Sequence, residues 1–162
     1  MQSAIAIIKD EHRSMASVVK GLLNNVTAIK TGDMEPDVHL FSAMFDYIEA
    51  YPERLHHPKE DEYLFRFLRQ RTDLANAILD ELQEEHARGG DLLEQLRLAL
   101  ASYKKDLDID AFETALRAYA DFYFSHMAKE EKRVLPLAAE YLTAEDWETI
   151  DAAFQANRQR AW

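Results

Sequence analysis

The chain has 162 residues, enough for one domain with a single hydrophobic core. Its formal net charge of −11 argues against nucleic acid as a partner, because nucleic-acid binders concentrate lysine and arginine on one face. The absence of cysteine excludes disulfides, thiolate metal sites and thiol catalysis. We therefore predict one domain over residues 1–162, with its core at 4–142, in which any metal is held by histidine and carboxylate.

The composition also predicts an all-α protein. Glycine and proline are scarce, with four of each, whereas alanine, leucine, glutamate and arginine are frequent. The apolar run at residues 4–8 is too short for a signal-peptide core or a membrane span. We expect a cytoplasmic protein that binds no membrane.

Two helices are predicted in the first half of the chain. The first begins after Ser3, a possible N-cap, and ends near Gly32. The second begins after Asp37, another possible cap. Pro52 and Pro58 each lack a backbone donor and crowd a carbonyl one turn earlier, so the second helix should bend or restart there.

Two more long helices and a short one are predicted in the second half. The third contains Gly89 and Gly90, which either bend it or let another chain approach. The fourth begins after Asp108 or Asp110 and bends near Pro136. Four long amphipathic helices with short connections favour an antiparallel up-down-up-down four-helix bundle.

The C-terminal segment is predicted to form a fifth, short helix. Thr143 and Asp146 are spaced like a capping box, so the helix should run over residues 144–157 and pack on the bundle.

Two segments repeat one pattern of metal-ligand type. His56 stands four residues before Glu60, and His126 stands four residues before Glu130. Four residues make about one helical turn, so each histidine shares a helix face with its glutamate. Each segment also follows an earlier Glu-His dipeptide. The predicted ligands are four imidazoles and two carboxylates: His12, His56, Glu60, His86, His126 and Glu130.

Two carboxylates that can each bridge a pair of ions favour a dinuclear site. Mixed imidazole and carboxylate ligation that leaves open positions favours iron, although manganese or zinc would also fit these ligand types. We expect two iron ions, Fe²⁺ or Fe³⁺, joined by an oxo or hydroxo bridge.

His57 is an open alternative, because it stands four residues before Asp61. Alignment of the two repeats on their downstream apolar pairs selects His56 and Glu60. The bend at Pro58 could instead turn His57 inward, so His57 and Asp61 either replace or supplement that pair.

Other polar residues are assigned supporting or surface positions. His39 is interpreted as a surface residue. A tyrosine one turn before His126, Tyr119 or Tyr123, is an alternative hydrogen-bond partner for bound oxygen. Four acids are expected either to support the ligands or to be solvated: Glu11, Asp61, Glu85 and Glu131.

Over about residues 4–142 the chain resembles a hemerythrin-like domain of the HHE cation-binding family. The resemblance implies a non-haem di-iron centre with four terminal histidines and with Glu60 and Glu130 as bridges. The motifs that carry it are Glu11-His12, His56 to Glu60 with Leu64-Phe65, Glu85-His86, and His126 to Glu131 with Leu135-Pro136.

The chain departs from the oxygen-carrying hemerythrins at two points. Gly90 stands where those proteins have a second histidine on the third helix, and His126 and Glu130 are four residues apart rather than five. The chain is therefore more similar to bacterial hemerythrin-like proteins, to di-iron proteins that repair iron–sulfur clusters, or to iron-sensing domains.

We predict a metal-binding protein that binds or senses O₂, NO or iron, rather than an enzyme. Two alternatives stay open. The same centre could act on peroxide or NO or repair iron–sulfur clusters, or the bundle could be a metal-independent scaffold. Gly89 and Gly90 and the C-terminal helix could also form a homodimer interface.

Overall fold

The computed structural model describes the backbone of residues 3–160 and the side chains of residues 3–158. Within this part of the chain every regular element is a helix. The α-helices are α1 (Ala4–Thr31), α2 (Val38–Ile48), α3 (His57–Lys59), α4 (Arg66–Arg71), α5 (Asn76–Asp106), α6 (Ile109–Lys129), α7 (Leu135–Tyr141) and α8 (Ala144–Arg160). Three π-helical segments join some of them: π1 (Glu49–His56), π2 (Glu60–Phe65) and π3 (Glu130–Val134).

These elements form four long helices and a C-terminal helix. Residues 38–71 are continuously helical, and so are residues 109–141, while α1 and α5 are the other two long helices. α1 contacts α2 and α6, and α5 contacts α2 and α6. The prediction of an all-helical fold is confirmed.

The predicted helix ends are confirmed where a residue at the end itself caps the helix. The Ser3 side chain accepts a hydrogen bond from the Ala6 amide, and Gly32 ends α1 with φ of 82°, a left-handed conformation that suits glycine. Asp37 caps α2. Of the two alternatives for the fourth helix, Asp108 is the cap, since it accepts a hydrogen bond from the Ala111 amide at 3.1 Å.

The second helix does not restart at its prolines but widens into π-helical segments. The His57 amide donates to the carbonyl of Pro52, five residues earlier. This longer connection accommodates Pro52 and Pro58, which lack an amide donor and crowd a normal helical turn. In the fourth helix the Leu135 amide likewise donates to the Glu130 carbonyl, just before Pro136. π-helical turns occur often at functional sites.

The core consists of two apolar clusters. One includes Met15, Phe41 and Phe112, and the other includes Ile7 and Phe65. On all four long helices, buried histidine and glutamate residues lie at or next to the boundary between the two clusters. A polar layer therefore crosses the middle of the bundle.

The C-terminal helix packs against α1 and against π1 and π2 of the second long helix. The Asp146 amide donates to Thr143 Oγ1 at 3.1 Å, and the Thr143 amide donates to Asp146 Oδ2 at 3.0 Å, which confirms the capping box. Phe154 is fully buried in the second apolar cluster. α8 ends at Arg160, beyond the predicted residue 157. None of the described helices combines the length and hydropathy needed to cross a bilayer.

Candidate metal centre

Seven of the buried ionisable side chains in the polar layer lie close to one another. None of the seven residues is more than 8% exposed, and His56 and Glu60 are fully buried. Such groups are costly to bury unless they are paired with charges or coordinate a metal. The seven are His12, His56, His57, Glu60, His86, His126 and Glu130.

The seven side chains form two clusters that share Glu60. In each cluster the possible ligand atoms all lie within 4.8 Å of one another. The two-histidine cluster consists of His12, His56, Glu60 and Glu130, and the three-histidine cluster consists of His57, Glu60, His86 and His126.

Glu60 directs one oxygen toward each cluster. Its Oε1 lies 2.7 Å from His56 Nε2 and 3.6 Å from His12 Nε2, in the two-histidine cluster. Its Oε2 lies 3.2 Å from His86 Nε2, in the three-histidine cluster. A carboxylate in this orientation can bridge two ions.

Glu130 is arranged in the same way. Its Oε2 lies 2.9 Å from His12 Nε2, and its Oε1 lies 2.6 Å from His126 Nε2 and 3.2 Å from His86 Nε2. Glu130 therefore also reaches histidines of both clusters.

Most of these close approaches lack hydrogen-bond geometry. His56 Nε2, His126 Nε2, both oxygens of Glu60 and Glu130 Oε2 are buried and have no hydrogen-bond partner. Buried polar atoms are nearly always satisfied, so this concentration of exceptions needs an explanation. Nitrogen and oxygen atoms that face a common point without hydrogen bonds fit a cation between them.

Carboxylates also lie on the outer side of the histidine rings. His56 Nδ1 makes a short contact with Glu11 Oε2, and His126 Nδ1 lies 3.0 Å from Glu85 Oε1. A carboxylate that accepts the Nδ1 proton leaves the Nε2 lone pair free for a metal. The Tyr51 hydroxyl donates to Glu11 Oε1 at 2.5 Å, so Glu11 is itself held in place.

The other three rings also face acids, at different distances. His86 Nδ1 lies 2.8 Å from Asp61 Oδ1. Two contacts are longer and are not hydrogen bonds: His12 Nδ1 lies 3.7 Å from Glu131 Oε1, and His57 Nδ1 lies 3.8 Å from Glu53 Oε1. Every histidine of the two clusters therefore faces a carboxylate with Nδ1.

The surrounding acids favour the charged form of His56 and His86, whereas burial and the neighbouring His86 lower the pKa of His57. Burial lowers the pKa of His56, but Glu60 and Glu11 outweigh this effect and raise it to about 9. Burial opposes the charged form of His86 as well, yet Asp61, Glu130 and Glu60 raise the pKa of His86 to about 12. The surrounding carboxylates thus stabilise a proton in the metal-free protein, and a metal cation would satisfy the same charges.

A comparison with known families agrees with this geometry. The sequence model of the hemerythrin HHE cation binding domain matches residues 3–138, which is most of the chain. The chain belongs to this family. No curated protein and no solved structure gives a significant match.

The structure of this HHE domain brings together all six predicted ligand residues and adds a seventh, His57. The sequence left His57 open, and the structure places it beside the predicted ligands, with its ring stacked on that of His86 at 4.3 Å between centroids. Met127 occupies the equivalent position of the second repeat, so a comparison of the repeats could not select His57. The neighbouring Pro58 is the signal that points to it.

Other predicted positions are now defined. His39 is exposed, as predicted. The Tyr123 hydroxyl donates to Met15 Sδ at 3.1 Å, and the buried Tyr119 hydroxyl has no partner. A Cβ atom added to Gly89 would lie 2.8 Å from Glu53 Oε1, so this glycine makes room for a side chain of the second helix.

Proposed function

We propose that this HHE domain binds two iron ions in its polar layer and uses the open positions of that centre to bind O₂ or NO. The observation that carries the proposal is the orientation of Glu60 and Glu130, each of which reaches histidines of both clusters. Two shared carboxylates are the expected arrangement for a dinuclear site in a helical bundle.

The two clusters differ in the number of nitrogen donors. With one oxygen from each glutamate, the two-histidine cluster offers four protein donors and the three-histidine cluster offers five. An ion in the cluster that includes His12 and His56 would therefore have more coordination positions open to an external ligand. Iron would supply redox chemistry and affinity for diatomic gases at that position.

The donor set supports iron over several competitors. Soft metals prefer thiolates, which this chain lacks, and magnesium or calcium prefer oxygen ligands. Imidazole with carboxylate suits iron, zinc and manganese, of which zinc has no redox chemistry.

We further propose that the four long helices form an antiparallel up-down-up-down bundle. The order of the two apolar clusters alternates from one long helix to the next, as expected for that arrangement. A cytoplasmic location and a homodimer stay predictions.

A metal-independent scaffold is less consistent with the buried groups. Such a scaffold would have no need of two buried carboxylates with unpartnered oxygens at its centre. Leaving a buried charged group without its partner typically destabilises a protein by about 3–5 kcal/mol.

The test is the iron content and visible spectrum of protein loaded with Fe²⁺ under anaerobic conditions and then exposed to O₂ or NO. We expect about two iron atoms per chain and a new visible absorption band on addition of the gas. Protein that remains colourless and metal-free after loading would refute the proposal. Stoichiometric uptake supports binding, whereas repeated consumption of peroxide or NO would assign the centre to an enzyme.

A further inference from the structure

A groove of 200 Å³ on the surface leads to one of the predicted ligands. It lies between α1 and α6 and ends at His12, with mostly apolar walls that include Ala16, Phe124 and Met127. Two other grooves in the described part of the chain contain none of the seven buried histidine and glutamate residues.

Glu131 supplies the carboxylate in the lining of this groove. Its side chain is 37% exposed, and its Oε1 lies 3.7 Å from His12 Nδ1. His12 has a side chain only 4% exposed, and its Nδ1 atom has no hydrogen-bond partner. By contrast, Asp61 and Glu85 lie within hydrogen-bond distance of their histidines. Glu131 and His12 Nδ1 therefore face each other in the lining of the groove without a hydrogen bond between them.

His12 borders both the groove and the buried centre. Its Nε2 lies 2.9 Å from Glu130 and 3.6 Å from Glu60, while its Nδ1 faces Glu131. A single imidazole ring therefore separates a solvent-accessible carboxylate from the two buried ones.

The charges around the groove permit a cation to approach. The Arg13 guanidinium at its rim contacts the Asp10 carboxylate, which offsets its positive charge. Lys9 lies close enough to influence Glu131. The net charge of −11 nevertheless attracts cations to the molecule as a whole.

We propose that Glu131 and the Nδ1 edge of His12, with the His12 proton on Nε2 while the centre is empty, form a capture site for a divalent cation on its way to the buried centre. The inference rests on the proposed function, because it assigns the route by which that centre is filled. A hydrated cation must exchange water for protein ligands before it can pass side chains as buried as His12. The exposed carboxylate supplies the first oxygen ligand and the local negative potential.

The test measures the rate at which metal-free protein takes up Co²⁺, followed by the visible absorbance of the bound ion in a stopped-flow instrument. Glu131→Gln removes the capturing charge, Glu131→Asp retains it, and Glu140→Gln removes the same charge at an exposed position on α7 outside the groove. Elemental analysis gives the final metal content of each variant.

We expect Glu131→Gln to take up Co²⁺ at least about tenfold more slowly than the wild type, while reaching the same final content. Glu131→Asp should recover most of the rate, and Glu140→Gln should match the wild type. Added salt should slow the wild type more than Glu131→Gln, because screening weakens the attraction that the variant lacks.

An unchanged uptake rate in Glu131→Gln would overturn the inference and leave the proposed function intact. If that unchanged rate came with faster release and lower final content, Glu131 would be a positioning residue for His12. If the wild type takes up no Co²⁺ and no Fe²⁺ at equilibrium, the proposed function itself fails.

Discussion

Replacing both shared carboxylates should abolish the stabilisation that metal gives to this domain. Glu60 and Glu130 each reach histidines of both clusters, so Glu60→Gln/Glu130→Gln replaces one oxygen of each carboxylate by an amide nitrogen that does not ligate and removes both negative charges. Glutamine keeps the size of the side chain but removes the charge. The effect should therefore appear in metal binding more than in packing.

The size of the effect follows from mass action. An ion that binds only the folded state, present at 100 times its Kd, adds about 2.7 kcal/mol to the free energy of unfolding. For a chain of this length, 1 kcal/mol raises Tm by about 2–4 °C, so one ion should raise Tm by about 5–10 °C. The second ion adds to this.

The assay is thermal unfolding with saturating Fe²⁺ under anaerobic conditions and, separately, with a chelator. The informative quantity is the difference in Tm between the two conditions, because the substitutions also remove ion pairs from the metal-free protein. Glu94→Gln/Glu140→Gln is the control, since it removes two charges at exposed positions. A double variant of Glu60 and Glu130 that keeps the wild-type difference would refute the proposed bridging role.

Three further predictions concern the residues around the bridges. His57→Ala should lower the affinity for one of the two ions at least about tenfold in a metal titration. His39→Ala, at an exposed position, should leave the affinity for both ions unchanged. Glu11→Gln should weaken metal binding about 10–100-fold by competition with a chelator, because it loosens His56; an unchanged affinity would exclude that role. The pKa of His56 is raised from 6.5 to about 9 by Glu60 and Glu11 against the effect of burial. Metal affinity should therefore rise with pH between about 6.5 and 9, while the metal-free protein loses stability as the pH rises through this range, measured by titration and by urea unfolding at each pH.

Local signals in the sequence predicted the helix ends well. Ser3, Asp37 and Thr143 each bond to an amide within three residues, so their capping depends on short-range geometry that the sequence encodes directly. The choice between Asp108 and Asp110 was less determined, because both stand near the same helix start. Only the folded turn decides which carboxylate reaches the Ala111 amide.

The sequence indicated which acids support the histidines, but it did not indicate which histidine each acid contacts. Glu11 is next to His12 in the chain, yet it contacts His56 on another helix. Glu85 is next to His86 and contacts His126. Successive residues of a helix point about 100° apart, so an acid beside a histidine serves a different helix. The partner depends on helix packing, which the sequence pattern does not specify.

His57 was left open for a physical reason. The interpretation assumed regular α-helical spacing, in which His56 and His57 point in directions about 100° apart. The π-helical segment that ends at His56 changes the rotation at this point, and both rings enter the core. A sequence can mark such a segment through Pro52 and Pro58, but it does not give the direction in which each ring then points.

The duplication explains how the centre is built and why its halves differ. In both copies, the acid of the Glu-His dipeptide contacts the histidine of the following motif, as Glu11 does with His56. The acid that follows Glu60 or Glu130 faces the dipeptide histidine of the other copy, so Asp61 contacts His86 and Glu131 faces His12.

The symmetry fails at one pair of positions. His57 and Glu53 of the first copy correspond to Met127 and Tyr123 of the second, neither of which can supply an imidazole. Met127 instead lines the groove that ends at His12, in the cluster with fewer nitrogen donors. If the clusters hold two ions as proposed, the Met127 thioether stands where a third imidazole would complete the two-histidine cluster, so that cluster has one nitrogen donor fewer. Under the proposed function, the departure from the repeat, rather than the repeat itself, leaves the position where an external ligand would bind.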